Sequence, residues 1–197
     1  MPEAVGTVLL AAGRGTRFGA SPKLLSPLDG KPLVRHAAEA ALAAGLGPVV
    51  AVLGHAGGEV RAALGGLDLI LVENPDYAAG LSTSLRAGLG ALPDDVAASL
   101  VLLGDMPRVG SGLLVRLAEA FRGAAVAPSA VVPVRDGRRG NPVLLNRRLL
   151  ADGLAGLTGD RGAGPLLARR GDVLELPVED PGILVDVDTP AALAELS

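Results

Sequence analysis

Residues Leu9 to Leu25 read Leu-Leu-Ala-Ala-Gly-Arg-Gly-Thr-Arg-Phe-Gly-Ala-Ser-Pro-Lys-Leu-Leu. An apolar run with Val5, Val8, Leu9 and Leu10 gives way to small residues, then to a loop holding Gly13, Gly15 and Gly19. This passage predicts a buried strand that ends in a glycine-rich turn. Glycine lets a backbone approach a ligand closely with its N–H groups turned inward, and cations neutralise what sits there. Arg14, Arg17 and Lys23 are interleaved with the glycines, which suits a polyphosphate better than a neutral metabolite. The loop therefore reads as a cradle for a nucleoside triphosphate. It is not a Walker A loop, because no Gly-Lys-Ser/Thr closes it. A dinucleotide fingerprint fails as well. Its third glycine comes one place late, and the second apolar run ends Val52-Leu53-Gly54-His55, without an acid for a ribose.

Working outward, apolar runs alternate with Ala/Leu-rich stretches. Strands are predicted over Val5–Ala11, Val49–Leu53, Leu67–Val72, Ser99–Leu103, Ala130–Val134, Val173–Leu176 and Ile183–Val187. Helices are predicted over Pro32–Ala44, Glu59–Leu64, Leu81–Leu89, Gly112–Arg122, Arg147–Gly153, Gly164–Arg170 and Pro190–Leu196. Several of the strands are apolar throughout and spaced for crossover helices. That pattern predicts an α/β fold of three layers, a mostly parallel sheet with helices on both faces. No repeat or linker divides residues 1–197, so they read as a single domain. The Gly/Arg-rich segment Arg135–Asn141 reads as an ordered loop or hairpin turn. Ligands of open α/β sheets bind at the C-terminal strand ends. The chemistry is expected just after Leu10, Val72, Leu103, Val134 and Val187.

Composition narrows the partners. The 197 residues are 49% hydrophobic but only 2% aromatic, so the core must be built from Val, Leu and Ala. No stretch of about 18 uninterrupted apolar residues occurs, which argues against a membrane span. Glu3 and the lack of a basic start argue against a signal peptide, leaving a cytoplasmic protein as the expectation. The absence of cysteine excludes disulfides, thiolate metal sites and cysteine nucleophiles. A net charge of −3, one Tyr and no Trp give a nucleic-acid partner no support. Lys23 and Lys31 are the only lysines among 18 basic residues, so a lysine in the glycine loop points to a need for a compact ammonium.

The carboxylates come later in the chain. Asp105 follows the apolar run Ser99–Leu103, in Gly104-Asp105-Met106-Pro107, where it either meets a divalent ion or caps the next helix. Asp186 and Asp188 are two apart in Ile183-Leu184-Val185-Asp186-Val187-Asp188-Thr189-Pro190. On a strand both would share a face, where a cation would relieve their repulsion. Asp186 is placed slightly ahead, since Asp188 or Thr189 also suits a helix cap before Pro190. Gly80, Ser82 and Ser84 open a helix, either as donors to a base or sugar or as an ordinary Ser-capped start. His36 and His55 receive no chemistry.

Leu10, Ala11, Ala12, Gly13, Gly15, Arg17, Gly19 and Lys23 resemble the phosphate-binding signature of nucleotidyltransferases with a MobA-like fold. Phe18 stands where Met or Leu is more usual. Gly104-Asp105-Met106-Pro107 is similar to a second motif of that family, and the ending Asp186-Val187-Asp188-Thr189-Pro190 to a third. Gly80 to Leu85, Gly140-Asn141-Pro142 and Gly159-Asp160-Arg161-Gly162-Ala163 resemble further elements, although Gly164 replaces an arginine common after the last. The resemblance implies a Rossmann-like nucleotide-diphosphosugar transferase fold. It implies a nucleotide site at Leu10, Ala11, Ala12, Gly13, Gly15, Arg17, Lys23, Gly80, Ser82 and Ser84. Arg17, Lys23 and Asp105 would be catalytic, and Mg²⁺ would sit on Asp105 with Asp186 or Asp188. Ala12 and the continuation Lys23-Leu24-Leu25 and Gly30-Lys31-Pro32-Leu33 are similar to the molybdenum cofactor cytidylyltransferase branch. The implied reaction moves CMP from CTP to a phosphorylated acceptor, a molybdenum-pterin cofactor, with release of pyrophosphate. A protein that takes up the finished cofactor is a further partner of that reading. Two readings stay beside it: a guanylyl or other NTP transferase with a sugar or alcohol phosphate acceptor, and a non-catalytic nucleotide-binding module.

Overall fold

The apolar run at the start of the chain becomes β1 (Ala4–Ala11), which lies in the middle of the sheet. The computed structural model describes residues 3–15, 18 and 22–196. A short antiparallel pair, β2 (Pro27–Leu28) and β3 (Lys31–Pro32), leads into α1 (Leu33–Ala44). Then follow β4 (Val49–Leu53), α2 (Gly57–Ala63), β5 (Ile70–Glu73), α3 (Leu81–Ala91) and β6 (Val96–Leu103). The second half holds α4 (Ser111–Gly123), β7 (Ala130–Arg135), β8 (Arg138–Arg139) and β9 (Val143–Asn146). It ends with α5 (Ala151–Ala155), α6 (Gly164–Ala168), β10 (Val173–Pro177) and α7 (Pro190–Ala194).

The sheet runs β10-β7-β9-β6-β1-β4-β5, with β8 paired to β7. Strands β1, β4, β5 and β6 are mutually parallel, as are β7 and β10, whereas β9 runs antiparallel to both its neighbours. The segment from Asp136 to Pro142 is too short for a crossover, so the chain can only turn back on itself there. Side chains of β1 alternate between two cores. Val5, Leu9 and Ala11 join α1, α2 and α4 on one face, while Val8 and Leu10 join α3, α5 and α6 on the other. The three-layer, mostly parallel α/β architecture is thus the one expected from the sequence. With so few aromatic residues, both cores are filled mainly by Leu, Val and Ala, with Phe121, Met106 and Ile183 joining the one beneath α1, α2 and α4.

The strand expected over Leu67–Val72 and the helix expected over Arg147–Gly153 are shifted to Ile70–Glu73 and Ala151–Ala155, the two-residue strands β2, β3 and β8 were not expected, and two further elements differ more deeply. β9 was not anticipated: four residues after a Gly-Asn-Pro turn carry too little pattern to announce a strand. Ile183–Val187 is not a strand either. Pro181–Leu184 is a 3-10 turn, and the chain then passes across the C-terminal strand ends. Its backbone is held there by Asn141 N–H donating to the Ile183 carbonyl (2.9 Å) and Val187 N–H donating to the Asp105 carbonyl (2.9 Å). Ile183 and Val187 are buried, so the apolar spacing reported burial rather than pairing. Among the described residues no helix is long and apolar enough to cross a membrane.

Candidate nucleotide and metal site

A cleft of about 590 Å³ lies at the C-terminal ends of β1 and β6. The two strand ends are tied by Gly104 N–H donating to the Leu10 carbonyl (3.0 Å). Leu10, Ala12, Gly13, Arg14 and Gly15 form one wall. Gly15 has φ +56°, and any Cβ there would meet the Lys23 side chain at 2.8 Å, so the turn needs glycine. Beyond it, Lys23–Leu25 forms a 3-10 turn with Leu24 buried over Gly104, which brings Lys23 above the tip of β6.

Lys23 Nζ donates to Asp105 Oδ2 at 2.5 Å and to Asp188 Oδ1 at 3.0 Å. The side chains of Lys23, Asp105 and Asp188 are 11%, 18% and 31% exposed. Burial pulls the Lys23 ammonium below its ordinary value, but the Asp105 and Asp188 carboxylates outweigh that and leave it raised. Asp105 Oδ1 is buried and has no hydrogen-bond partner among the described residues. Asp105 does not cap a helix, because α4 starts at Ser111 behind Gly110. Asp188 does not cap α7 either. Thr189 does so, its Oγ1 accepting from Ala192 N–H at 3.2 Å. Asp186, placed slightly ahead because Asp188 also suited a helix cap, lines the cleft too, but the carboxylate that shares Lys23 with Asp105 is Asp188.

Whether these residues suit a divalent ion can be judged from the donor set. Among the described residues no three His, Cys, Asp or Glu side chains gather closely enough to cage an ion. Magnesium, however, is usually held by one or two carboxylates, with phosphate oxygens and water completing its shell. An orphaned, buried Asp105 oxygen beside Asp188, opening on a cleft walled by glycine amides, fits that pattern.

The remaining candidates divide. Ser84 lines the cleft, its Oγ accepting from Asn74 Nδ2 at 2.9 Å. Ser82 is buried and does not line it, and its N–H donates to the Gly159 carbonyl (3.0 Å). Leu81 N–H meets Asp160 Oδ1 at 3.3 Å, and Gly80 lies so close to Gly159 that a Cβ would overlap it. The loop at Gly159–Asp160 thus occupies the α3 N-terminus that Gly80 and Ser82 were expected to offer to a ligand. Ala11 turns its side chain into the opposite core, as its odd place on β1 requires. Arg17 and Gly19 lie outside the described residues. Of the hairpin arginines, Arg139 pairs with Glu175 at 2.8 Å and Arg135 with Asp136 at 3.4 Å. His36 Nε2 lies 2.9 Å from the Leu28 carbonyl, a satisfied helix-face histidine.

Sequence reasoning missed two residues of the cleft. Tyr77 lies in its wall with the Arg14 guanidinium 5.6 Å above its ring and His55 beside it. As the only tyrosine in the chain, just before Gly80, it was there to be noticed. Asp160, which sits in a motif that had been identified, faces the cleft as well as capping α3.

Comparison with known proteins extends the geometry. The chain is 40% identical over 162 residues to the bifunctional protein GlmU of Kineococcus radiotolerans, covering 81% of this chain and 31% of that protein. It spans less than half the length of the GlmU proteins it matches. It is 34% identical to the nicotine blue oxidoreductase of Paenarthrobacter nicotinovorans, covering 92% of this chain and 91% of that one. Among solved structures, a nucleotidyl transferase from Methanothermobacter superposes with a TM-score of 0.82 at 30% identity, over 98% of this chain and 95% of its own. A manganese complex of Rv0371c from Mycobacterium tuberculosis superposes with a TM-score of 0.79 at 30% identity, over 98% and 97%. Residues 7–173 match the model of the MobA-like NTP transferase domain, and the chain belongs to that family.

Proposed function

We propose that the chain transfers a nucleoside monophosphate from a nucleoside triphosphate to a phosphorylated small molecule and releases pyrophosphate. The observation that carries this reading is the meeting of Lys23, Asp105 and Asp188 in one cleft with the Gly13–Gly15 turn. A phosphate acceptor is already an anion near neutral pH, so the reaction needs no covalent residue or strong general base. The chain has no cysteine, and neither histidine lines the cleft. An acceptor oxygen would attack the α-phosphorus in line. The new P–O bond forms as the bond to the β-phosphate oxygen breaks, and its electron pair leaves with pyrophosphate.

Catalysis would rest on positioning and charge neutralisation. The Gly13 and Gly15 amides, Arg17 and Lys23 would hold the β- and γ-phosphates as negative charge gathers on them. Asp105 and Asp188, with Asp186 nearby, would hold Mg²⁺. When bound, the ion supplies charge neutralisation and orientation at the α-phosphate. CTP is the first donor to test and a molybdenum-pterin phosphate the first acceptor, on the resemblance of Ala12 and Lys23-Leu24-Leu25 to the cytidylyl branch. GTP, or a sugar or alcohol phosphate, comes next. The decisive assay is pyrophosphate release with each of the four nucleoside triphosphates, Mg²⁺ and these acceptors. Release with CTP and the pterin supports the full reading, whereas tight nucleotide binding without release from any acceptor would leave a binding module.

A redox role is a second reading, favoured by the oxidoreductase name of the relative whose length is 91% covered. Oxidation of NADH or NADPH by a quinone dye, undiminished in Asp105→Ala, would select it.

A further inference from the structure

Tyr77 and Arg14 meet in the wall of the nucleotide cleft, Arg14 standing between Gly13 and Gly15 in the glycine turn. The Arg14 guanidinium lies over the Tyr77 ring, 5.6 Å from its centroid. The Arg14 side chain makes no hydrogen bond or ion pair among the described residues. Other arginines are held through their N–H groups: Arg139 donates to Glu175 at 2.8 Å, and Arg108 to the Leu196 carbonyl. A ring face takes the plane of a guanidinium instead and leaves its N–H edge open to a ligand. The ring is also well fixed. Tyr77 opens a 3-10 turn over Tyr77–Ala79 and packs, half-buried, on the core beneath α3. A Cβ added at Gly54 would lie 2.7 Å from the Tyr77 Cβ and 2.8 Å from the Ala12 Cβ, so Tyr77 is wedged against the end of β4 and the start of the glycine turn. His55 N–H donates to the Ala12 carbonyl (3.1 Å) and ties those two segments together.

We infer that Tyr77 is a positioning residue, whose ring holds the Arg14 guanidinium ready for the β- and γ-phosphates of the nucleotide. The inference rests on the nucleotidyl-transfer reading and adds a cation, with its support, to that phosphate site. Phosphates lying over Gly13 and Gly15 are within reach of the residue between them. Lys23 can turn to those phosphates only by leaving Asp105 and Asp188, whereas Arg14 has no donor contact to give up. An exposed arginine on a glycine turn loses rotamer freedom when a ligand fixes it. Docking on a rigid ring removes part of that loss before the nucleotide arrives. As negative charge gathers on the departing pyrophosphate, the guanidinium fork meets it with paired, charge-assisted N–H groups.

The test is calorimetric binding of Mg²⁺-CTP, Mg²⁺-GTP, Mg²⁺-pyrophosphate and CMP to the full chain and its variants. Arg14→Gln should weaken pyrophosphate and the tighter-bound triphosphate about tenfold, the effect of one charge-assisted contact. Tyr77→Leu should weaken both about threefold to fivefold, and Tyr77→Phe, which keeps the ring, should restore them. The double variant Arg14→Gln/Tyr77→Leu should bind no more weakly than Arg14→Gln alone, because the ring acts only through the guanidinium. CMP lacks the distal phosphates and should bind Arg14→Gln and Tyr77→Leu as it binds the parent. Melting curves check the fold of each variant, and Arg14 is exposed, so its substitution leaves the core untouched. Additive losses in the double variant, a loss in Tyr77→Phe equal to that in Tyr77→Leu, or a triphosphate indifferent to Arg14→Gln overturns the inference while the nucleotide site stands. Loss of CMP binding in a folded Tyr77→Leu would put the ring on the nucleoside and overturn it as well. Failure of the parent to bind either triphosphate, with pyrophosphate still bound through Arg14, would instead remove the transferase reading.

Discussion

Lys23 is the residue on which two demands converge. Its ammonium lies between the Asp105 and Asp188 carboxylates, so a divalent ion arriving there competes with it. Lys23→Met should therefore bind Mn²⁺ several-fold more tightly in the absence of nucleotide, as read by the paramagnetic resonance of free Mn²⁺. The same variant should lose about 10²- to 10³-fold in kcat, the usual effect of removing one preorganised charge donor. Unchanged or weaker Mn²⁺ binding would show that Lys23 does not guard the ion's place. The pH dependence has a definite sign. A lysine raised in the folded state adds stability that is complete below its ordinary value of 10.5 and fades as pH rises through the folded value. The stability difference between the parent and Lys23→Met should thus stay level from neutrality to 10.5 and change only above it, as urea melts would show. Asp105→Ala should remove divalent-dependent turnover with the far-ultraviolet dichroism unchanged. Full activity in that variant would defeat the metal assignment.

At the scale of elements, the sequence was most legible where pattern and burial agree. β4 is a continuous apolar run and β1 is broken only by Gly6 and Thr7; both are interior strands buried along nearly all their length and lie where expected, β4 with the same ends. Lys23 and Asp105, 82 positions apart, were expected to converge because each follows a strand end on one rim, and they do. The pairing of Ile183–Val187 was not legible, because its spacing fits both a strand and a segment laid across strand ends, and only tertiary contacts decide between them. The same limit hid the Gly159–Asp160 loop, whose contact with the α3 N-terminus spans 79 positions. The α7 cap is open to a direct test. Thr189→Ala should cost about 1 kcal/mol, lowering Tm by roughly 2–4 °C for a chain of this size, and Thr189→Ser should restore it. Since Thr189 adjoins Asp188, the alanine variant should also weaken Mn²⁺ binding, whereas loss of the cap alone would lower only Tm.

For the whole molecule, a core of Val, Leu and Ala sets out β1 and β6 side by side, and their C-terminal ends carry the glycine turn and the acid. A ligand bound only by the folded chain stabilises it, by about 2.7 kcal/mol at a hundredfold excess over Kd. Saturating nucleoside triphosphate with Mg²⁺ should therefore raise Tm by roughly 5–10 °C, and nucleotide with chelator by far less. An equal shift in both would mean that the carboxylates take no part in binding. The most direct measurement is crystallographic: the chain soaked with CTP and Mn²⁺, with the ion located by anomalous scattering. The ion should lie between Asp105 and Asp188, with the triphosphate over Gly13–Gly15 and the Lys23 ammonium moved from the carboxylates to the phosphates. A triphosphate bound elsewhere, or an ion distant from Asp105, would contradict the account.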